Sequence, residues 1–209
     1  MDQAIKVDFK RRIQSYKAVS GAFTQVRVPD LQFLMLDGHG DPNSSQAYKD
    51  ALATLYPVAY KLKFFSKQKL GRDYSVMPLE GLWWADDMES FTSSRDKSQW
   101  DWTMMIMAPD WITQEHVDAA RTAVAAKGEA PMLEQLKLDT LKEGLSVQTL
   151  HIGPYDAEGP VLEEMHQGYI PEHSLRMTGR HHEIYLSDAR RTPPEKLKTI
   201  LRQPVSQDR

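Results

Sequence analysis

The same order of predicted secondary-structure elements occurs twice along this chain, and this repeat limits the folds it can adopt. In the first half, the run L-Q-F-L-M-L from Leu31 to Leu36 predicts a strand, and apolar residues at three- and four-residue steps predict a helix from about Ser45 to Phe65. Two further strands are predicted near 76–85 and 100–108, with a polar turn between them. The first half is therefore a β-α-β-β unit over about 31–108.

The second half repeats this order over about 145–205. The run L-S-V-Q-T-L-H-I predicts a strand that ends before Gly153-Pro154, and a helix is expected from about 156 to 168. The segment H-H-E-I-Y-L-S over 181–187 alternates like a strand, and 197–202 is predicted to close the unit.

Two such units side by side predict an α+β fold with one antiparallel sheet. Tandem duplicated β-α-β-β units place both long helices on one face of the sheet, and we expect a ligand groove on the other face, at the seam between the units. Residues 113–127 are expected to form a connecting helix. We expect residues 1–30 to be an N-terminal arm and 31–205 to be the domain itself.

Composition excludes several classes of function. The net charge is −3, which gives no overall electrostatic case for binding nucleic acid directly. There is no cysteine and no apolar stretch long enough for a membrane span or a signal region, so we expect a cytoplasmic protein that does not bind membranes. The oligomeric state is left open.

The histidines do not predict a metal site, and no motif predicts a cofactor. His181 and His182 are adjacent in a predicted strand, so their side chains point to opposite faces and cannot share one ion. The chain lacks the H-E-x-x-H, G-x-S-x-G and phosphate-binding glycine motifs.

All five tryptophans fall within one short stretch, Leu79 to Trp111, in and beside two predicted strands. Tryptophan offers a large flat surface with one hydrogen-bond donor, which suits it to enclosing a planar aromatic ligand or a cation. Each one alone could equally belong to the core. As a set, interleaved with acidic residues and a methionine run, they favour a binding cavity.

Glu80 and Glu183 occupy equivalent places in the two units, each in the middle of an otherwise apolar strand. A buried carboxylate is costly unless it is paired, so both could simply face solvent. If they face the groove, alternation brings Tyr185 to the side of Glu183, and Leu82 and Trp84 to the side of Glu80. A bulge at Gly81 would reverse the second assignment.

Three motifs together resemble the GyrI-like small-molecule-binding proteins: P-L-E-G-L-W-W, H-I-G-P-Y-D-A-E-G-P and H-H-E-I-Y-L-S-D-A-R-R-T-P-P-E-K-L. The resemblance covers about 31–205 and implies the duplicated fold described above. It also implies an aromatic groove with a glutamate on the penultimate strand, which matches Glu183. The segment before Leu31 leaves no room for the DNA-binding domain that many members carry, so a free-standing member is expected.

The tryptophan-rich strands and the H-H-E-I-Y-L motif are similar to a free-standing subfamily, the cyclopropanoid cyclopropyl hydrolases. The resemblance implies an aromatic cage that opens the strained ring of DNA-alkylating compounds. Its catalytic candidates are Glu183, to position or deprotonate water, and Tyr185, since either Tyr185 or a nearby histidine could donate to the departing oxygen. The ligand-binding candidates are as follows: Glu80, Trp83, Trp84, Trp102, Trp111, Tyr155 and His181.

Two other functions fit the same residues. The cavity could sequester hydrophobic or aromatic drugs without turnover, or the chain could act through its surface, as do family members that inhibit DNA gyrase. The first alternative differs from the hydrolase only in having no productive water beside Glu183, whereas the second predicts that tryptophan substitutions in the groove have no effect.

Overall fold

The computed structural model describes residues 5–85, 96–128 and 130–207, and these form one curled antiparallel sheet with helices packed against it. The strands are β1 Thr24–Val28, β2 Leu31–His39, β3 Leu79–Trp84, β4 Asp101–Met107, β5 Lys137–Leu141, β6 Gly144–Ile152, β7 Leu175–Met177, β8 His181–Tyr185 and β9 Lys198–Gln207. The helices are α1 Phe9–Arg12, α2 Gln46–Lys69, α3 Gln114–Ala125, α4 Gly159–Glu163 and α5 Ile170–Glu172, with a π-helix at Glu164–Tyr169 between the last two.

The two halves of the sheet have equivalent strand orders when each is counted from its outer edge to the centre. The full order is β1-β6-β9-β8-β3-β4-β2-β5, with β7 paired to β9 alone, so that the first half supplies β2, β4 and β3 and the second supplies β8, β9 and β6. Strands β3 and β8 meet at the centre, and the outermost positions are taken by β5 and β1. The sequence analysis did not predict β1, β5 or β7, and residues 24–28, expected in an arm, pair with β6 in the sheet.

Helix α2 is longer than the hydrophobic pattern predicted. It begins after Ser45, whose side chain accepts a hydrogen bond from the backbone of Tyr48 in the usual manner of an N-cap. Proline inside a helix usually kinks or breaks it, but α2 continues through Pro57. The carbonyl that Pro57 leaves without an amide partner belongs to Ala53, which is exposed, so water can satisfy it.

The helix of the second half differs more from its prediction. The α-helical geometry of α4 changes to a π-helix at Glu164, which adds a residue per turn and turns the chain before Ile170. Met165 and Ile170 from this segment pack with Val147 and Leu201 of the sheet in a small separate core. The polar turn predicted over 86–99 lies for the most part outside the described residues.

The pairing of β3 with β8 separates their side chains into two sets. Gly81 lies opposite Glu183, and Trp83 lies opposite His181, so these residues and Tyr185 share the face that carries α2. Glu80 and His182 share the other face. As predicted, the two adjacent histidines point to opposite sides of the sheet.

A buried cluster of charges fills the face opposite the helices. His182 Nε2 lies 3.0 Å from Glu80 Oε2 and His182 Nδ1 lies 2.9 Å from Glu143 Oε1, and Arg202 donates to Glu143 Oε2 at 2.8 Å. The N-terminal segment covers it, because the Tyr16 hydroxyl donates to Glu80 Oε1 at 2.6 Å. With His182 protonated, its charge and that of Arg202 balance the two carboxylates, and balanced charges are the condition for burying such a cluster.

The same contacts shift two pKa values in opposite directions. Burial raises the pKa of Glu143, but the nearby charges of His182 and Arg202 outweigh it and bring the pKa down to about 2. Burial lowers the pKa of His182, but the carboxylates of Glu143 and Glu80 outweigh it and raise the pKa above its ordinary value.

Among the described residues, no helix combines the length and apolar character needed to cross a membrane.

This cluster predicts how stability depends on pH. Because the folded-state pKa of His182 is raised from 6.5, its contribution is complete below that value and is lost as the pH rises through the folded pKa. The Glu143 contribution is present above its ordinary pKa of 4.5 and is lost as the pH falls toward 2. The free energy of unfolding, measured with urea from pH 5 to 9, should therefore decline on the alkaline side.

The variant His182→Gln should show a smaller alkaline decline. It should also be less stable by roughly 3–5 kcal/mol, the scale for leaving a buried ion uncompensated. His173→Gln, at an exposed histidine whose ring pairs with the Tyr169 carbonyl and not with a carboxylate, is the control and should keep the wild-type alkaline decline. An unchanged alkaline slope in the His182 variant would refute this account.

Candidate functional site

A cavity of about 740 Å³ lies over the centre of the sheet, between α2 and the helical segment that follows β6. Its floor is made by Trp83 of β3 and by His181, Glu183 and Tyr185 of β8. One wall is α2, and the opposite wall includes Tyr155 and Leu162. The volume falls within the range of ordinary small-molecule sites.

Glu183 is held in place by a chain of hydrogen bonds across the floor. The Tyr185 hydroxyl donates to Glu183 Oε2 at 2.7 Å, and Trp83 Nε1 donates to the Tyr185 oxygen at 3.0 Å. Burial, followed by the charge of Glu183, raises the pKa of Tyr185 well above its ordinary value. Tyr185 therefore keeps its proton and remains a donor that orients the carboxylate.

One histidine lies near the other oxygen of this carboxylate, and a second histidine lies against the first. His181 Nε2 lies 3.5 Å from Glu183 Oε1, and the His181 side chain is only 5% exposed. His166, carried by the π-helix, meets the His181 ring edge to face at a centroid distance of 6.1 Å. Burial and the charge of His181 lower the pKa of His166 to about 4, so His166 is neutral at physiological pH.

Aromatic rings surround the space above Glu183. Trp83 stacks with Tyr48 at 6.4 Å and meets Trp100 at 5.7 Å, and Tyr155 lies edge to face with Tyr185 at 5.5 Å. Burial raises the pKa of Tyr155 to about 12, with smaller effects of Glu158 and Glu183 in the same direction. The result is a largely apolar chamber with one carboxylate at its base.

The groove was predicted on the wrong face of the sheet. The cavity lies on the face that carries the helices, because α2 and the segment after β6 stand apart over β3 and β8 and leave the space between them open. Glu80 cannot reach it, since Glu80 is fully buried on the opposite face in the ionic cluster. The prediction that the two glutamates share one groove is therefore also wrong.

Three of the tryptophan candidates do not line the cavity. Trp84 faces the same side as Glu80 and lies against the Arg180 guanidinium at 3.4 Å. Trp102 is completely buried behind the wall, against Tyr48, and donates to the Gly40 carbonyl at 3.2 Å. Trp111 lies near the end of α2 and donates to Ser66 Oγ at 2.9 Å, so its role is structural.

The structure does bring together Trp83, Tyr155, His181, Glu183 and Tyr185. The sequence analysis missed the contribution of α2, whose Tyr48, Leu52, Tyr56 and Tyr60 line one wall. Their four-residue spacing was the available signal, because it places all four along one side of the helix. Trp100 and Glu158 also line the cavity and were missed.

No group of three histidine, aspartate or glutamate side chains in the described part of the chain is arranged to hold a metal ion.

Comparison with known proteins identifies relatives of this fold. The family model of the GyrI-like small molecule binding domain matches residues 22–206. No functionally curated protein matches the chain closely enough to count as a relative.

Three solved structures illustrate the range of similarity. A conserved protein from Listeria innocua is 38% identical, with a TM-score of 0.86 over 96% of this chain and 100% of its own. A hydrolase from Listeria innocua is 37% identical, with a TM-score of 0.82 and the same coverage. The C-terminal domain of EcmrR is 11% identical with a TM-score of 0.57, over 89% of this chain and 98% of its own, and shows the fold alone.

The floor of the cavity depends on the absence of a side chain at Gly81. A Cβ there would lie 2.7 Å from Trp83 Nε1 and 3.2 Å from the Tyr185 hydroxyl oxygen. We therefore expect Gly81→Ala to displace the indole, break its bond to Tyr185 and cost about 1–3 kcal/mol of stability, the usual scale of overpacking. Thermal unfolding and the binding of a planar fluorescent dye measure the two effects.

Dye affinity should fall about tenfold or more in Gly81→Ala, which corresponds to about 1.4 kcal/mol. Gly168→Ala is the matched control, because nothing lies within 4 Å of a Cβ at that position. Wild-type dye affinity in Gly81→Ala would show that the Trp83–Tyr185 bond does not shape the site.

Proposed function

We propose that this chain, which belongs to the GyrI-like small-molecule-binding family, binds planar hydrophobic molecules in the cavity and hydrolyses a cyclopropane ring in DNA-alkylating compounds. The observation that carries this proposal is the position of Glu183. It is an oriented carboxylate at the base of an aromatic chamber, and among the described residues its second oxygen has no donor as close as Tyr185. The hydrolases from Listeria innocua, at 37% identity, support water as the second reactant.

The reaction requires little from the protein, because a cyclopropane conjugated to a dienone is already electrophilic. Water attacks the ring methylene, a C–O bond forms, and one C–C bond of the ring breaks. The electron pair of that bond moves to the dienone oxygen, which becomes a phenol when it takes up a proton. The proton lost by the water passes to Glu183, and the product is the substrate plus one water molecule, with a hydroxymethyl group.

The aromatic walls contribute by excluding bulk water from the reacting groups. A carboxylate interacts more strongly with a bound water molecule in such surroundings than it would in solvent. Trp83 and Tyr155 provide flat apolar surfaces against which a planar ligand can lie above Glu183. The ligand is thereby held with its strained ring near the carboxylate.

The structure supports different roles for Tyr185 and Tyr155, which the sequence did not suggest. The Tyr185 hydroxyl hydrogen is directed to Glu183, so Tyr185 acts as a positioning residue for the carboxylate. Tyr155, whose pKa is raised to about 12, keeps its hydroxyl hydrogen at neutral pH and can donate to the oxygen that gains charge. His181, beside Glu183 Oε1, limits the space in which the water sits.

Sequestration without turnover is the second candidate function, and the aromatic cavity alone would suffice for it. We also infer that the two halves of the fold derive from tandem duplication of a β-α-β-β unit, which accounts for the symmetric strand order. The ligand then lies at the junction of the two copies, where β3 meets β8.

Replacing Glu183 by glutamine separates the two functions. The change keeps the shape of the side chain and removes its basicity, so we expect turnover of a cyclopropane-bearing alkylator to fall roughly 10²-fold or more, as for a lost general base. Mass spectrometry measures formation of the water adduct, and quenching of tryptophan fluorescence measures binding, which should remain near wild type.

The control is Glu163→Gln, an exposed glutamate on α4, which should leave both measurements unchanged. Tyr185→Phe should lower turnover less, by about tenfold, because the carboxylate remains but is no longer oriented. Full turnover in Glu183→Gln would show that another group handles the water. Binding without any adduct in the wild type would favour sequestration.

A further inference from the structure

Two segments far apart in sequence form one surface at the end of α2. Val7 donates its backbone N–H to the Asp73 carbonyl at 2.9 Å and accepts one from Ser75 at 2.8 Å. Phe9 packs on Trp111 at 5.8 Å, and the Arg72 guanidinium covers the same indole at 5.0 Å. Residues 5–12 and 60–73 are therefore contiguous, and we call them the basic surface.

The basic surface is strongly positive in a chain that is negative overall. Its two segments contain nine lysines and arginines against only Asp8 and Asp73, a net charge of +7, whereas the whole chain carries −3. Asp73 is buried and binds Lys63 and Lys67 at 3.2 Å and 3.4 Å, so most of the excess positive charge is directed outward. Such a field attracts a polyanion.

Large apolar side chains are exposed on the same surface. Ile5 is 85% exposed, Tyr60 and Phe64 are each 50% exposed, and Leu70 is 37% exposed. Tyr60 and Phe64 are four residues apart and so lie on one side of α2, with Lys63 Nζ 4.6 Å from the Phe64 ring. Cations and apolar groups therefore alternate over this part of the molecule.

This surface is continuous with the cavity. Tyr60 lines the cavity and is also half exposed, and Phe64 is the next residue outward on the same side of α2. Lys10 of the basic surface lines the cavity from its other segment. One end of the cavity thus opens where the basic and apolar groups meet.

We propose that the basic surface docks this protein on an anionic lipid membrane. Lysine and arginine side chains are drawn to acidic headgroups, while Phe64, Tyr60 and Ile5 can enter the headgroup region, where apolar burial adds to the attraction. A nucleic-acid backbone would satisfy the charges but offers no comparable apolar environment for these side chains. This proposal departs from the sequence-based expectation that the protein does not bind membranes. That expectation was based on the absence of a spanning or signal segment, and docking at the surface requires neither.

Docking in this way would place the cavity opening at the lipid surface. Planar hydrophobic molecules accumulate in bilayers, so the ligand could pass from lipid to the aromatic chamber without crossing water. This consequence rests on the proposed function, but the docking itself does not. Membrane binding is measured without ligand, so its failure and the failure of cavity binding are separate results.

The test is co-sedimentation of the whole protein with large unilamellar vesicles. We expect at least about tenfold stronger partitioning onto phosphatidylcholine vesicles that contain about 30% phosphatidylserine than onto pure phosphatidylcholine, and loss of this preference in about 0.5 M NaCl, where charges are screened. The charge-reversal variant Lys61→Glu/Lys69→Glu should lose at least about tenfold in partitioning. Phe64→Glu should lose a similar factor, since it removes apolar contact and adds a negative charge.

Lys49→Glu/Lys127→Glu is the matched control, because it makes the same change in net charge at exposed positions outside the basic surface. It should retain most of the partitioning, and far-ultraviolet circular dichroism together with dye binding should show that all variants remain folded. Equal partitioning onto neutral and acidic vesicles, or an equal loss in the control, would overturn the proposal. Binding to a short DNA duplex more tightly than to acidic vesicles would assign the surface to nucleic acid instead.

Discussion

Strands β3 and β8 pair at the centre of the sheet with Gly81 directly opposite Glu183, and the positions of the functional side chains follow from this register. Because alternate side chains point to opposite faces, one set forms the floor of the cavity and the other set enters the buried ionic cluster. A shift of β8 by one residue would place His182 on the cavity face and Glu183 on the opposite face. Correct register is therefore a condition for both stability and chemistry.

The ionic cluster stabilises this register from behind the site. It links the N-terminal segment, the turn between β5 and β6, and three neighbouring strands through bonds among Tyr16, Glu80, Glu143, His182 and Arg202. Buried ion pairs often contribute little net stability compared with apolar packing, but separating the partners of such a pair is strongly destabilising. In this protein the cluster defines which residues of β3, β8 and β9 lie side by side, and so it holds Glu183 at a fixed place on the other face.

One face of the sheet provides rigidity, and the other provides access to the site. The face with the ionic cluster is closed by the chain itself, whereas on the cavity face the helices stand apart and leave the central strands open. Helix α2 serves both purposes, because its apolar side packs on β2 and β4 while an adjacent row, from Tyr48 to Tyr60, lines the cavity and extends to the surface. Preorganised groups on strands, with a wall of side chains that can adjust, suit a site that accepts planar molecules.

The sequence by itself determined the order of the main elements, the α+β class with one antiparallel sheet, and the candidacy of Glu183, Tyr185, Trp83, Tyr155 and His181. Hydrophobic periodicity carries the order of the elements and the fold class because it depends on neighbours within a few residues, whereas the site candidates follow from the resemblance of the motifs to a known family. It did not reveal β1 or β5, whose strands are short and largely exposed at the edges of the sheet. Periodicity also did not reveal which face of the sheet carries the groove or which residues pair with Glu80. Glu80 and Glu183 occupy equivalent places in the pattern and differ only in the residues that contact them. Only the tertiary structure decided that difference: His182 and Tyr16 contact the Glu80 carboxylate, whereas the Glu183 carboxylate faces the open cavity. Whether a charge is buried or exposed depends on contacts between residues distant in the chain.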